Sequence, residues 1–317
     1  MIGYPSERRD RKLDLAAHAA WLYYVAGNTQ EEIAAKLNVS RQAAQRLVAL
    51  AVSEKLIKFR LDHPLNECIA LAESLRDKFG LALCEVVPSD ATSDTFNGIG
   101  VCAASHLEAY LVAKTPMILG FSCGRTLRTM VEQIPPMDQP QHKIVSIIGN
   151  MSHYGRAGRH EIVMRLSDRI GSQAYPLPAP VVATSVEERE LLQTQRSFIA
   201  VRALAEQAKA TFLGISYISW DSPLHQFIDD AEVTELIELG AIGEIAGWAF
   251  DSHGVLLQAG TNSRVASVPL DQPAQRCIIG VAGGVRKAEA ILAAMRGKLI
   301  TGLITDEAAA QAILDRF

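Results

Sequence analysis

The chain has 317 residues, of which 49% are hydrophobic and 21% charged, and its formal net charge is −4. This length predicts two domains, or one large domain with an appendage, and the composition is ample for a buried core. The polar start does not resemble a signal peptide and no apolar run is long enough for a membrane span, so a cytoplasmic protein without membrane contact is expected. The five scattered cysteines form no CxxC pair, which argues against a disulfide framework or a zinc motif.

The charge is distributed unevenly along the chain. Residues 1–62 contain ten Lys and Arg against seven Asp and Glu, giving +3, whereas the remainder contains 21 against 28, giving −7. A locally basic first segment suits a polyanionic partner, and the acidic remainder suits a different task.

The first segment predicts three short helices. Residues 13–27 form a helical pattern whose inner face is expected to carry Leu15, Ala19, Leu22 and Tyr23. The stretch "TQEEIAAKLNVSRQAAQRL" (29–47) then divides into two helices. A capping box begins the first of these, a left-handed turn ends it and a Ser N-cap begins the second. Those three positions are Thr29 with Glu32, Asn38 and Ser40.

This arrangement is typical of a helix–turn–helix that binds double-stranded DNA. The second helix would bury Ala44, Leu47, Val48 and Ala51, leaving Arg and Gln outside. Arg side chains can pair with guanine edges and Gln with adenine edges, and both reach phosphates. The predicted DNA-binding residues are Thr29, Gln30, Ser40, Arg41, Gln42, Gln45 and Arg46. The alternative is a helical hairpin that only packs. A short extended segment is expected within 53–64.

A domain division follows from these patterns: 1–62 for the helix–turn–helix, 63–80 for a linking helix and 81–317 for a second domain. The linking helix would present Ile69, Ala72, Leu75 and Phe79 on one face. The second domain alternates short apolar runs with amphipathic stretches, which indicates an α/β fold with a doubly wound, mostly parallel sheet. The predicted strands are 82–88, 117–122, 143–149, 211–216, 244–250 and 276–283, and the predicted helices include 98–114, 160–171 and 186–209.

In such sheets ligands bind beyond the carboxyl ends of the strands. The residues predicted to bind an effector there are Ser122, Cys123, Gly124, Arg125, Thr126, Asn150, Met151, Ser216, Asp251, Gly283 and Lys287. Singly, each has a plainer explanation: Gly-rich turns occur wherever a chain turns sharply, Asp251 suits a hairpin turn, and Lys287 suits a solvated helix. Together, their amide, hydroxyl, carboxylate and ammonium groups suit a sugar or polyol, free or phosphorylated.

The sequence lacks the common signatures of catalysis. There is no GxGxxG after a strand, no phosphate-binding GxxxxGK[ST] and no histidine cluster. We therefore predict no catalytic residues, no metal and no cofactor.

Six blocks, in order and in spacing, resemble the SorC family of sugar-binding, DeoR-like bacterial transcriptional regulators. They are residues 19–61, "SCGRT" (122–126), "LPAPVVA" (177–183), "GAIGEIAGWAFDSHG" (240–254), "AGGVRKAEAILAAMRG" (282–297) and "LITDEAAAQAIL" (303–314).

The resemblance implies a winged-helix-like DNA-binding domain and an effector domain related in fold to sugar-phosphate isomerases and deaminases. It also implies a homotetramer, built as a dimer of dimers, that responds to sugars or sugar phosphates. By position, Ser122, Gly124, Arg125 and Thr126 match the family's phosphate loop. Asp251 matches its hydroxyl-binding acid, and Gly283 with Lys287 matches its glycine turn.

The sequence departs from the family pattern at two places. Residues 43–45 read Ala-Ala-Gln where Thr-Val-Ser is common, so base preferences do not transfer. Residues 149–156 read "GNMSHYGR" instead of a Gly-rich turn, which leaves a free polyol or sugar open as effector.

The leading interpretation is a DNA-binding transcriptional repressor of a carbohydrate or polyol catabolic operon. One alternative is a sugar-phosphate isomerase or deaminase with an appended DNA-binding domain, using Asp251 as base and Lys287 as partner. Another is a non-specific DNA-binding protein with a packing domain.

Overall fold

The computed structural model describes residues 5–54, 56–57, 66–89, 95–151, 161–220, 227–270 and 276–316. The chain forms two compact units, Met1–His63 and Pro64–Phe317. Among the described residues, no helix has both the length and the apolar character required to cross a bilayer.

The first unit contains three helices, α1 (Pro5–Tyr24), α2 (Gln30–Leu37) and α3 (Arg41–Ser53). The predicted caps are present. The Thr29 hydroxyl accepts the Glu32 N–H at 3.3 Å while the Glu32 carboxylate accepts the Thr29 N–H at 2.8 Å. Asn38 ends α2 in the left-handed conformation, with φ 51° and ψ 49°. The Ser40 hydroxyl then accepts the Ala43 N–H at 3.2 Å and begins α3.

The core of this unit agrees with the prediction in α3 and only in part in α1. The residues expected inside α3, namely Ala44, Leu47, Val48 and Ala51, are all buried. In α1, however, Leu15 and Tyr23 are exposed, and the buried face is formed by Ala16, Ala19, Ala20 and Leu22. Apolar residues occur on several sides of α1, so periodicity alone identified only Ala19 and Leu22 of this buried face. The extended segment expected within 53–64 lies largely outside the described residues.

The second unit has an α/β fold around a seven-stranded sheet in which every pair is parallel, with the order β1-β10-β9-β5-β2-β3-β4. Its strands are β1 (Leu83–Val87), β2 (Ile118–Phe121), β3 (Lys143–Met151), β4 (Gln173–Pro180), β5 (Ala210–Leu213), β9 (Cys277–Val281) and β10 (Gly302–Asp306). A separate antiparallel sheet is formed by β6 (Ser216–Tyr217), β7 (Gly243–Ile245) and β8 (Trp248–Phe250).

Helices cover both faces of the parallel sheet, which confirms the doubly wound α/β class. The helices are α4 (Asn66–Phe79), α5 (Thr95–Leu111), α6 (Arg125–Gln133), α7 (Val163–Ile170), α8 (Val186–Gln193), α9 (Arg196–Glu206), α10 (Asp230–Glu238), α11 (Ala288–Arg296) and α12 (Glu307–Leu314). One core lies under α5, α6 and α7, and a larger core lies under α4, α9, α11 and α12.

The structure differs from the prediction in several elements, among them the strands β4 and β10, which were not predicted. The stretch 244–250, predicted as one strand, is a hairpin that turns at Ala246 (φ 53°) and Gly247 (φ 90°). The single helix predicted over 186–209 is two helices, α8 and α9. The strand β4 is absent from the prediction because prolines occupy positions 176, 178 and 180. An edge strand tolerates them, since one side of its backbone has no neighbour to receive an N–H.

The predicted linking helix is α4, and it packs within the second unit. Leu75 is fully buried, and Leu71, Ala72 and Phe79 pack against the larger core, while Ile69 is exposed. Its inner face is therefore part of the second unit's core.

Candidate functional site

The strand order reverses beside β2, and this fixes where a ligand crevice lies. From β2 the chain continues to β3 and β4 on one side, then returns to β5 on the other side and continues to β9 and β10. Ligands of open α/β sheets bind at such a reversal, beyond the carboxyl ends of the strands. Ser122 and Cys123 follow β2 at this point, and the Ser122 hydroxyl accepts the N–H of Gly214, which follows β5, at 2.9 Å.

The turn after β2 leads into a helix N-terminus with no side-chain cap. Gly124 precedes α6 with φ 140° and ψ 162°, and as the N-cap residue it has no side chain to cap the first N–H groups of the helix. A Cβ on Gly124 would meet open space, so the turn is accessible. Arg125 is exposed at this turn, whereas Thr126 is buried. The N-terminal backbone N–H groups of a helix and its dipole both favour an anion at such a position.

A half-buried lysine, Lys287, lies near both Arg125 and a half-buried glutamate, Glu244. Burial, and then the positive charge of Arg125, lower the pKa of Lys287 to about 8, against the opposing effect of the negative charge of Glu244. Burial in turn raises the pKa of Glu244, against the hydrogen bond from the Gly247 N–H and the charge of Lys287. Lys287 is therefore within electrostatic reach of both Arg125 and Glu244.

Ser216 joins this cluster through the antiparallel sheet. It lies directly opposite Glu244 in the pairing of β6 with β7. Its hydroxyl is buried and makes no hydrogen bond within the described part of the chain. An unpaired buried hydroxyl beside a half-buried carboxylate is suited to bind a ligand hydroxyl. The sequence prediction included Ser216 and omitted Glu244, although an acidic residue in an otherwise apolar strand was the available signal.

Close packing explains why position 283 is a glycine. A Cβ there would lie 2.3 Å from Ile99 Cδ1 and 2.6 Å from Asp306 Oδ2. The Asp306 carboxylate is fully buried and accepts the Gly284 N–H at 2.8 Å and the Ala309 N–H at 2.7 Å. Asp306, which was not predicted, therefore fixes the turn that leads to Lys287.

Asp251 does not lie where it was predicted. Its Oδ1 accepts the His253 N–H at 2.9 Å and the Val255 N–H at 3.0 Å. Asp251 therefore stabilises a tight turn, which is the plainer explanation considered for it above. A Cβ on Gly254, in the same turn, would lie 2.7 Å from the Cα of Gly297, which follows α11, whereas Lys287 precedes α11. The two ends of a nine-residue helix are about 13 Å apart. The prediction that Asp251 and Lys287 share one edge is wrong, because 244–250 is a hairpin and not a parallel strand.

The end of β3 is only partly described. Asn150 and Met151 belong to the strand, which extends two residues beyond the predicted end, and their side chains lie outside the described residues.

A small pocket is lined by Cys123, Ser146 and Glu161 among others. Burial raises the pKa of the Cys123 thiol to about 12, so this group stays protonated. Glu161 caps α7 by accepting the Val163 N–H at 2.9 Å.

In the first unit, the four predicted base-facing side chains Arg41, Gln42, Gln45 and Arg46 are all exposed on one face of α3. Arg41 forms an exposed ion pair with Glu31 at 3.0 Å, and Arg46 donates to the Gln42 carbonyl at 3.3 Å. Thr29 and Ser40 cap their helices, and Gln30 is the first residue of α2.

Comparison with known proteins gives consistent matches over the whole chain. Residues 63–315 match the family model of the sugar-binding domain. The chain is 31% identical over 303 residues to the erythritol catabolism regulatory protein EryD of Brucella abortus, covering 95% of this chain and 96% of that protein. It is 29% identical over 306 residues to the transcriptional regulator LsrR of Escherichia coli K12, covering 94% of this chain and 93% of the other.

Among solved structures, the full-length sorbitol operon regulator SorC from Klebsiella pneumoniae superposes with a TM-score of 0.72 at 24% identity, covering 96% of this chain and 99% of that one. That structural likeness supports the fold. The family match over most of the chain and the identity to EryD lead to one conclusion: the chain belongs to the SorC family of sugar-binding transcriptional regulators.

Proposed function

We propose that this protein is a cytoplasmic, DNA-binding repressor of a polyol or sugar catabolic operon, and that its effector is a small polyhydroxylated molecule carrying a phosphate. The observation that carries the effector class is the charged cluster at the strand reversal. The N-terminus of α6, Arg125 and Lys287 all favour an anion, while Glu244 and Ser216 offer partners for hydroxyl groups.

The two ends of such a ligand would have separate partners. The phosphate would lie over Gly124 and the first turn of α6, with Arg125 and Lys287 balancing its charge. The carbon chain would extend toward β7, where Glu244 accepts hydrogen bonds from hydroxyls. Each protein group that is costly to bury alone would then be paired in the complex.

The names of the relatives narrow the choice of probes. EryD is named for erythritol catabolism and SorC for the sorbitol operon, and both compounds are linear polyols. We therefore propose a polyol phosphate of similar size. Effector binding would change the spacing of paired α3 helices within a homotetramer, since an effector acts only through a difference in its affinity for two arrangements.

The test is a thermal-shift series on the purified full chain with erythritol and sorbitol, each beside its phosphate ester. A ligand bound only by the folded state raises the unfolding midpoint in proportion to ln(1 + [L]/Kd), so the ester should raise it at concentrations where the free polyol does not. The variant Arg125→Gln should lose most of the shift, and Arg202→Gln, an exposed arginine on α9, should keep it.

Equal shifts from the free polyols would contradict the phosphate assignment and favour a regulator of the unmodified nutrient. Absence of a shift from all four compounds would reject the polyol class. Conversion of an ester during incubation would instead favour the enzymatic alternative.

A further inference from the structure

Three metal-ligating side chains meet at the edge strand β1, away from the charged cluster described above. They are Glu85 on β1 and Cys102 and His106 on α5, and one ligand atom from each lies within 4.8 Å of the others. His106 Nε2 is 3.2 Å from Glu85 Oε1. The side chains of His106 and Glu85 are 31% and 43% exposed, so an ion can reach them from solvent.

The secondary structure explains why these groups converge. Cys102 and His106 are four residues apart on one helix, which places their side chains on the same face about one turn apart. Glu85 follows Leu83 by two positions on β1, and Leu83 packs against the core under α5. Side chains alternate along a strand, so Glu85 points toward the same helix. At the N-terminal part of α5, a Cβ on Gly98 would touch Val87 at 3.5 Å, which confirms that α5 lies against β1.

The ligand set is that of a borderline transition metal. Zn²⁺ accepts thiolate, imidazole and carboxylate ligands, and sites with three protein ligands keep a fourth position for water. We propose that Glu85, Cys102 and His106 form a zinc-binding site that joins α5 to the edge strand of the effector domain. Binding would replace the Cys102 thiol proton with the metal ion and release that proton to solvent.

The environment of Cys102 disfavours the free thiolate, and an ion bound there must overcome this cost. Burial, and then the charge of Glu85, raise the pKa of its thiol to about 12, so without an ion the group is a protonated thiol. A bound divalent cation reverses this electrostatic balance, because it deprotonates a coordinating thiol and neutralises the nearby carboxylate.

Sequence patterns do not predict this site, since the three residues form no CxxC or His-Cys motif. A helical pair spaced by four residues is common by chance, and Glu85 becomes its neighbour only when β1 and α5 pack. Cys277 provides a matched control. It is likewise half-buried, and its sulfur lies 3.6 Å from the hydroxyl of Tyr110, which is also on α5.

The experiment is a Co²⁺ titration of the full-length, reduced and metal-stripped protein, followed by displacement with Zn²⁺. We expect a thiolate-to-cobalt charge-transfer band that saturates at one ion per chain and is lost when Zn²⁺ is added, since Zn²⁺ binds such sites more tightly. Cys102→Ser should abolish the band. His106→Gln removes a direct ligand. It should therefore weaken Co²⁺ binding by more than the roughly 10- to 100-fold loss seen when only a residue hydrogen-bonded to a ligand is removed. Cys277→Ser should leave the band unchanged.

A band that persists in Cys102→Ser, or that disappears in Cys277→Ser, would overturn the proposal. So would the absence of both a cobalt band and a zinc-dependent rise in the melting midpoint of the unmodified protein. Circular dichroism identifies a variant that fails to fold. If Cys102→Ser fails to fold, the Co²⁺ affinity of the folded His106→Gln variant decides whether the proposal stands.

Discussion

At the residue scale, the charged cluster depends on groups kept in an environment that disfavours their charge. Lys287 has its pKa lowered from 10.5 to about 8, and Glu244 has its pKa raised, both chiefly by burial. Buried charges are costly unless they are paired or meet a ligand. In the proposed complex, a phosphate would favour the charged form of Lys287 and would restore part of its lost solvation.

The pKa of Lys287 predicts a pH dependence for effector binding. Above about pH 8 the free protein loses the ammonium, so affinity for an anionic effector should fall by up to about tenfold per pH unit. Isothermal titration from about pH 7 to pH 9 measures this decline. The variant Lys287→Arg keeps its charge over that range and should give a flat profile, even if its affinity is lower.

Folding stability should change in the opposite direction, which separates the two effects. Because the folded-state pKa is depressed, the unfolded chain binds more protons between pH 8 and 10.5. The contribution of Lys287 to the free energy of unfolding therefore rises with pH over this window. An effector affinity that does not change with pH would show that Lys287 makes no contact with the anion.

At the element scale, the local signals in the sequence were reliable where a cap or turn defined the element. The capping box at Thr29, the left-handed Asn38 and the Ser40 cap set the bounds of α2 and α3. Apolar content was less informative. It did not distinguish the hairpin at 244–250 from a single strand, because a two-residue reversal at Ala246 and Gly247 carries little sequence signal.

The recognition helix gives an element-scale prediction. The double variant Arg41→Ala, Arg46→Ala should abolish specific operator binding. It should also reduce the slope of log affinity against log salt concentration by about one for each arginine that contacts a phosphate. Both side chains are exposed, so the fold and effector binding should be retained. Electrophoretic mobility shifts at several salt concentrations measure the first effect, and the thermal shift with effector measures the second.

The matched control is Arg202→Ala, which removes an exposed arginine from α9 that pairs with Glu206 at 2.8 Å. Its operator affinity should equal that of the unmodified protein. Joint loss of operator and effector binding in the Arg41 and Arg46 variant would contradict the assignment of these two tasks to separate units.

At the scale of the whole molecule, the charge is divided as the functions are. The segment 1–62 carries +3 and the remainder −7, so attraction to DNA is concentrated in the unit that contains α3. The structure separates the chain at His63 and Pro64 into two compact units. Regulation then requires that effector binding and operator binding favour different arrangements of the protein.

Thermodynamic linkage makes this requirement testable. If the effector weakens operator binding by some factor, the operator must weaken effector binding by the same factor, typically about 5- to 150-fold. The two dissociation constants, each measured with and without the other ligand, give both factors. A random duplex of equal length should give a factor near one. An effector that binds tightly and leaves operator affinity unchanged would reject the regulatory mechanism.

The sequence by itself determined what depends on neighbouring residues: the capped helices of the first unit, the alternation that gives an α/β sheet, the turn at Gly124 and the exposed face of α3. Tertiary structure alone decided which distant residues meet. It placed Glu244 beside Lys287 and Ser216, turned Asp251 away to the far end of α11, and brought Glu85 to Cys102 and His106. The physical reason is that caps and turns are set by bonds within a few residues, whereas these clusters depend on strand order and helix packing across the whole domain.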